Sequence, residues 1–163
     1  AFMEDKTIKD RWAYYCCTQN KLVSNRFFSM SSARNRIIGM QIYKYGLKGF
    51  LHWGYNFWYT QYSLSDIDPF MTTDAGGVFP SGASFSVYPG KDGKAIPALR
   101  LYVFSEALSD LAALQALEKK IGREATLSLL EKGLEKPLTF KEYPRDAEWL
   151  LSKREEINAA LCK

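Results

Sequence analysis

The stretch Gly49-Phe50-Leu51-His52-Trp53-Gly54-Tyr55-Asn56-Phe57-Trp58 decides the fold of this chain. Its first half is an apolar run of strand length, and its second half is crowded with aromatic rings. A second run, Trp12-Ala13-Tyr14-Tyr15-Cys16-Cys17, comes earlier and is typical of a strand buried on both faces. The two runs therefore predict two strands of one sheet.

An amphipathic helix is predicted between these two strands. Ser31-Ser32 offers an N-cap, and Gly46 is a suitable residue to end the helix after Tyr45. Apolar residues share one face of the stretch from Ala33 to Tyr45, with basic residues between them. A strand, a helix and a second strand in this order predict a βαβ unit with parallel strands.

The rest of the chain divides into a loop-rich part and a helical part. Residues 59–80 have no period and read as a loop, and loops of this length are usually functional or disordered. The alternating run Ser84–Tyr88 predicts a short strand that ends in the turn residues 89–93. Helices are then predicted over 98–121, 123–132 and 145–161. The chain is thus an α/β protein with a helical tail.

Composition excludes several classes of protein. The 163 residues carry 22 Lys and Arg against 18 Asp and Glu, and this balance is too weak to indicate a nucleic-acid partner. No apolar run approaches the roughly 20 residues of a membrane-spanning helix, so no membrane partner is predicted. With one histidine, no phosphate-binding loop and no dinucleotide fingerprint, the chain predicts neither a metal site nor a cofactor.

The cysteines and the histidine have structural interpretations. Cys16, Cys17 and Cys162 are an odd number, and two neighbours cannot easily bridge, so no disulfide framework is expected. Metal and redox pairs need a spacer, and Cys16 and Cys17 are therefore predicted to be buried strand residues. His52 lies inside the second predicted strand and is expected to be a satisfied core or barrel-interior histidine.

Candidate ligand-binding residues follow the second strand. Rings at the carboxyl end of a parallel strand face the place where α/β folds bind ligands. Trp53, Tyr55 and Trp58 offer flat apolar faces for a sugar ring, and Asn56 can exchange hydrogen bonds with a hydroxyl or acetamido group. A carbohydrate is the predicted ligand. The alternative is that these aromatic residues only fill the interior and the helix interface.

Several separated motifs resemble the C-terminal part of the catalytic domain of glycoside hydrolase family 123. They occur in the family's order between Trp12 and about Leu117. They are Tyr14-Tyr15-Cys16, Asn25, Arg36, Tyr43-Lys44-Tyr45-Gly46, the run Gly49–Trp58, Tyr88-Pro89-Gly90, Pro97 and Arg100. After Arg100 the chain departs from the family, because Tyr102, Ser105 and Ala107 stand where a Glu, an Arg and a Gly are usual, whereas Asp110 agrees.

The resemblance implies a fold, an activity and a missing part. The two strands would be the seventh and eighth of a (β/α)₈ barrel, with residues 1–121 as the C-terminal part of the catalytic domain and 122–163 as a helical tail. Family members act as retaining β-N-acetylgalactosaminidases in which the substrate's 2-acetamido group is the nucleophile. Their adjacent Asp-Glu pair has no counterpart here, because Glu4-Asp5 has the reverse order and Glu155-Glu156 lies on a predicted helix.

No catalytic residue is therefore assigned to this chain, and the catalytic pair is expected upstream of Ala1. The expected partners are a carbohydrate with an N-acetylhexosamine unit and the N-terminal remainder of the same protein. The residues expected to form walls of the sugar pocket are Trp53, Asn56, Trp58, Tyr55 and Tyr15. A carbohydrate-binding domain with no hydrolytic role would use the same residues. A single-stranded nucleic-acid binder is a third hypothesis, but the aromatic stretch 50–62 contains no Lys or Arg to follow a backbone.

Overall fold

A computed structural model of the chain describes Asp5 and residues 7–163, so Glu4 of the Glu4-Asp5 pair lies outside it. The predicted strand–helix–strand unit is present. Strand β1 (Trp12–Tyr15) runs parallel to β2 (Gly49–His52), and the register places Tyr15 opposite His52. The two strands form a two-stranded sheet by themselves within the described part of the chain.

The connecting helix is divided at Ile37 into α1 (Ser32–Arg36) and α2 (Ile38–Tyr45). The predicted caps are confirmed. The Ser31 hydroxyl accepts a hydrogen bond from the Arg34 backbone N–H, and Gly46 ends α2 with a left-handed φ of 59°. Ile37 itself keeps right-handed helical dihedral angles, so the division is a local change in hydrogen bonding between two helical segments.

The prediction that the first strand is buried on both faces is wrong. Helices cover the face of the sheet that carries Tyr15, but Trp12 and Tyr14 on the opposite face are 61% and 50% exposed. Cys16 and Cys17 lie beyond the end of β1, both partly exposed, and are not strand residues as expected. The reason is that the described residues cover one face of this sheet with helices, whereas a strand buried on both faces needs a covering layer on each side.

The strand predicted at Ser84–Tyr88 is displaced toward its end and belongs to a second sheet. It is β3 (Val87–Pro89), which pairs antiparallel with β4 (Ala95–Pro97). The predicted turn joins them, and Gly90 N–H donates to the Lys94 carbonyl at 2.8 Å. β4 was not predicted, because its three residues are exposed and include a proline.

Three helices complete the chain close to the predicted positions. They are α3 (Leu99–Ile121), α4 (Arg123–Glu131) and α5 (Ala147–Cys162), with Asp146 capping α5 through the Trp149 backbone N–H at 2.7 Å. All three contribute to one apolar cluster with α2. Its buried members are Ile37, Met40, Tyr43, Ala113, Leu114, Leu117, Leu130, Leu138, Leu150 and Ile157. No helix of the described residues is long and apolar enough to cross a bilayer.

The structure is therefore a mixed α/β fold with two small sheets and a helical layer. The first sheet packs against α2 and α3 through a second cluster that includes Tyr15, Ile38, Ile42 and Ala107. The expected division at residue 121 stays a prediction; the helices on its two sides share the apolar cluster described above.

Candidate functional site

The aromatic stretch after β2 is held by a neighbouring segment from much later in the chain. Phe57 N–H donates to the Ser84 carbonyl at 3.1 Å, and the Tyr55 carbonyl accepts from Ser86 N–H at 2.7 Å. Asn56 and Phe85 form an isolated antiparallel bridge. The backbone of residues 54–58 is thus fixed against residues 84–87, although most of its side chains remain partly exposed.

Gly54 permits this close approach. A Cβ atom at this position would lie 2.6 Å from the Ala83 carbonyl oxygen and from Ser84 backbone atoms, closer than real Cβ contacts come. Any other residue would push the aromatic stretch away from residues 83–84. The glycine therefore determines where the rings after β2 stand.

The two tryptophans of the predicted site have different surroundings. Trp53 is half-buried and packs edge-on against Phe57 and Phe79, at centroid distances of 5.4 and 5.1 Å, and its indole N–H has no partner. Trp58 is also half-buried, but its indole N–H donates to the Val87 carbonyl at 3.0 Å. The Trp53 donor is thus buried near the Cys17 thiol, whereas Trp58 keeps only its ring.

The other three predicted residues divide into exposed and buried. Tyr55 is 53% exposed, and Asn56 is exposed as well, so both side chains are accessible to a ligand. Tyr15 is buried in the helical core, where its ring contacts the rings of Phe50 and Phe140 edge-on. The structure therefore separates Tyr15, whose hydroxyl is also buried, from the segment that carries the other four residues.

The long loop over residues 59–80 is ordered by short polar turns. The backbone N–H of Phe70 donates to the Asp68 carboxylate, and that of Gly77 donates to the Asp74 carboxylate, both at 2.9 Å. Tyr62 stands at the tip with a left-handed φ of 62°, and it is 81% exposed. The loop thus presents the Tyr62 ring to solvent, four residues after Trp58.

A buried arginine beside this segment was missed at the sequence level. Arg26 is only 2% exposed, and its guanidinium carbon lies 4.4 and 4.3 Å from the ring centroids of Phe50 and Phe104, which contact each other at 6.3 Å. Neither Nη1 nor Nη2 has a hydrogen-bond partner. Burial lowers the pKa of Arg26 to about 10, so the side chain is still charged at neutral pH. Its sequence surroundings, residues 19–30, have no period that could have indicated burial.

His52 lies at the end of β2, and the expectation of a satisfied core histidine is wrong in one respect. The ring is largely buried, and neither ring nitrogen makes a hydrogen bond of good geometry, although the Ala83 backbone lies close enough to act on its pKa. Burial lowers the pKa of His52 to about 4, and the positive charges of Arg26 and Arg100 add to the shift, which the Ala83 backbone weakly opposes. His52 is therefore neutral at physiological pH.

Arg100 ties three segments of the site together. Its guanidinium donates to the carbonyls of Arg26 at 2.9 Å and of Phe85 at 2.8 Å, and it also donates to the carbonyl of Gly82. These bonds fasten the connection after β1 to the segment that holds the aromatic stretch. Arg100 is thus a positioning residue at the start of α3, and both of its terminal nitrogens donate to backbone carbonyls.

Cys17, the second of the two adjacent cysteines, borders Trp53. Cys17 packs in the cluster that contains Phe27, Met30, Ala83 and Trp53. The pKa of the Cys16 thiol is lowered, first by a hydrogen bond from Tyr14, whereas burial raises the pKa of Cys17 to about 11. The two thiols therefore differ in reactivity although they are neighbours in the chain.

These segments lie inside the part of the chain that matches a known family. The model of the catalytic domain of glycoside hydrolase 123 matches residues 1–117, from the start of the chain to near the end of α3. The chain belongs to glycoside hydrolase family 123. The resemblance inferred from the motifs is thereby confirmed. No curated protein matches the chain.

Membership in family 123 indicates the substrate class of the matched domain. A glycoside hydrolase domain acts on carbohydrate, and the match includes β1, β2, the aromatic stretch and Arg100. The matched residues also include Arg26 and His52. The helices α4 and α5 lie outside the match.

Proposed function

We propose that this chain forms part of the sugar-binding pocket of a family 123 glycoside hydrolase that acts on N-acetylhexosamine-containing carbohydrate. The observation that carries the proposal is the aromatic stretch Trp53–Trp58, which follows β2 inside the matched region and is held in place by residues 84–87. Rings after a parallel strand are where α/β folds place ligand contacts. Aromatic faces bind the apolar side of a sugar ring.

The accessible groups suit the parts of an N-acetylated sugar. Tyr55 offers an exposed ring, and the Trp58 ring remains after its N–H has bonded to Val87. The Asn56 amide both donates and accepts, as an acetamido group requires. The Trp53 indole N–H and the Tyr15 hydroxyl are buried in this structure, so they could contact a sugar only after neighbouring side chains move.

In this proposal the hydrolytic step is that of a retaining, substrate-assisted enzyme. The substrate's acetamido oxygen attacks the anomeric carbon while one carboxylate orients the acetamido group and a second protonates the leaving oxygen. The chain has no adjacent Asp-Glu pair, so it supplies pocket walls and no catalytic carboxylate. We place that pair on an N-terminal remainder of the same protein.

The uncovered face of the first sheet supports such a remainder. Trp12, Tyr14 and Leu51 are about half exposed or more on the face opposite the helices, and a parallel two-stranded sheet normally has both faces covered. In the proposal, β1 and β2 are the seventh and eighth strands of a (β/α)₈ barrel, whose interior this face would line.

A carbohydrate-binding domain without hydrolytic activity is the second candidate, because the same rings would serve it. The two are distinguished by the intact mass and the activity of the natural protein. We expect a larger N-terminal polypeptide to accompany this chain and the complete protein to cleave an aryl N-acetyl-β-galactosaminide. A natural protein of 18.6 kDa that binds the sugar without cleaving it would instead establish the binding domain.

The site residues are tested by sugar binding to the natural protein. We expect Asn56→Ala to weaken binding of N-acetylgalactosamine about tenfold, as measured by tryptophan fluorescence, since it removes hydrogen bonds worth about 1–2 kcal/mol. Asn20→Ala is the matched control, because Asn20 is also exposed but lies in the connection after β1. Equal affinities of the two variants would contradict the assignment of Asn56.

A further inference from the structure

Unpartnered polar atoms concentrate at one end of the first sheet. Among the described residues, nine buried side-chain nitrogen or oxygen atoms have no hydrogen-bond partner. Seven of the nine belong to five residues at or after the carboxyl ends of β1 and β2, or on segments packed there: Tyr15, Arg26, His52, Trp53 and Ser84. Buried polar groups in folded proteins normally have partners, so such a concentration marks a place where a polar partner is missing.

Arg26 is the member of this group that most needs a partner. Its guanidinium cannot lose its proton at neutral pH, and both of its terminal nitrogens are shielded from water without an acceptor. The Phe50 and Phe104 rings stabilise the cation, but rings leave its N–H groups without an acceptor. A buried charge without an acceptor is strongly unfavourable, so this edge is suited to an anion.

The charged and titratable groups around Arg26 do not supply that anion. The groups that shift its pKa are Tyr15 and Arg100, and those that act on the neighbouring His52 are Arg26 and Arg100. Burial raises the pKa of Tyr15, so its hydroxyl is neutral. Arg100 is a second cation, and its donors are bonded to backbone carbonyls. The described residues thus place positive charge here without a carboxylate.

We propose that Arg26, together with His52, forms a binding site for the carboxylate of a small-molecule ligand. A planar guanidinium edge with two free donors matches a carboxylate in a bidentate arrangement. Neutral His52, at the end of β2, has an N–H that can donate to the same anion. The site rests on these two residues and does not depend on the carbohydrate proposal.

The location agrees with a ligand site and also sets a condition for entry. Tyr15 and His52 end two parallel strands, and α/β folds bind ligands beyond such ends. The terminal nitrogens of Arg26 are closed off from water in this structure. The carboxylate therefore enters only when side chains around the guanidinium move aside, and binding fixes them around the anion.

The test compares thermal unfolding in acetate and in chloride at equal ionic strength and neutral pH. For the unmodified protein we expect saturating acetate to raise the midpoint by about 2–4 °C above chloride. Arg26→Met keeps the volume and removes the charge, so it is expected to fold and to lose this difference. Arg145→Met, at an exposed arginine, is the matched control and is expected to keep it.

A second readout uses the single histidine of the chain. A carboxylate bound to Arg26 would raise the pKa of His52 above its value in chloride, which an NMR titration of the His52 ring measures directly. Replacing acetate by glucuronate then identifies the source of the carboxylate: a larger midpoint shift assigns the site to a sugar acid, and an equal shift assigns it to simple carboxylates.

Two results would overturn the proposal. One is an identical midpoint for the unmodified protein in acetate and chloride, with no change in the His52 pKa. The other is an acetate-dependent shift that Arg26→Met retains in full. Loss of sugar binding or of hydrolysis in other variants would leave these measurements untouched, so the carbohydrate proposal and this one fail independently.

Discussion

The carbonyl oxygen of Ala107 on α3 occupies the place where a Cβ atom of Gly39 on α2 would stand. The two helices meet here backbone to backbone, and Ala107 is completely buried. This contact joins the helix of the βαβ unit to the long helix α3, which begins at Leu99. Glycine at position 39 is therefore a requirement of the packing between the helices.

We expect Gly39→Ala to destabilise the protein by about 3 kcal/mol or more, although alanine favours helices by about 1 kcal/mol over glycine. The added methyl group would overlap backbone, which cannot rotate away as a side chain can. Chemical denaturation measures the loss. Gly122→Ala is not a suitable control because its φ is 84°, so Ala116→Gly on the exposed face of α3 serves instead, with a loss of about 1 kcal/mol.

Asp110 provides a second connection between the helices. Its buried carboxylate accepts two hydrogen bonds from Arg36, at 2.7 and 2.8 Å, and one from Arg154 at 2.7 Å, and thereby joins α1, α3 and α5. Asp110→Asn would leave two guanidinium groups facing a neutral amide. We expect a loss of about 3–5 kcal/mol in the free energy of unfolding.

The matched control for this prediction is Asp92→Asn, because Asp92 pairs with Lys94 on the surface of the β3–β4 turn. Exposed pairs contribute about 1 kcal/mol or less, so this variant should unfold at nearly the same denaturant concentration as the unmodified protein. Similar midpoints for the two variants would show that the buried carboxylate does not join the helices as described.

The features that could be predicted from the sequence are those encoded locally. The caps at Ser31 and Gly46, and the apolar face between them, each depend on residues within a few positions, so the strand–helix–strand unit follows. The aromatic stretch was identified for the same reason. Two of its members, Tyr55 and Asn56, were predicted to have accessible side chains, and both are exposed.

The features that could not be predicted depend on distant partners. Gly54 gives no local sign that residues 83–84 lie against it, and Arg26 becomes buried only through Phe50 and Phe104, which come from two later elements. The burial of Tyr15 likewise depends on Phe140, far along the chain. Propensity and period contain no information about such pairs.

The cysteine pair gives a prediction about reactivity. The pKa of Cys16 is lowered and that of Cys17 is raised to about 11. A larger fraction of Cys16 than of Cys17 is therefore in the nucleophilic thiolate form at neutral pH. We expect iodoacetamide to modify Cys16 at least tenfold faster than Cys17, as measured by peptide mass spectrometry after short exposure. Tyr14→Phe removes the hydrogen bond that lowers the Cys16 pKa and should slow Cys16 selectively.

Unfolding the protein in denaturant before alkylation is the control, since both thiols then have ordinary pKa values and should react at similar rates. A preference for Cys17 in the folded protein, or a Cys16 rate that Tyr14→Phe leaves unchanged, would contradict the proposed cause of the difference.

His52 makes the stability of the protein depend on pH in a defined window. Its pKa is about 4 in the folded chain and near 6.5 when unfolded, so between these values only the unfolded chain gains the proton. Stability is therefore expected to fall as the pH decreases from about 6.5 to 4, by a total on the order of 3 kcal/mol. Denaturant unfolding at a series of pH values measures this slope.

His52→Gln isolates the contribution, because no other histidine titrates in this chain. The variant should lose the slope between about pH 6.5 and 5, where few carboxylates titrate, while both proteins keep the steeper loss at lower pH that protonation of carboxylates causes. If the unmodified protein and His52→Gln lost stability equally from pH 6.5 to 5, His52 would not be buried beside Arg26 and Arg100 in its neutral form.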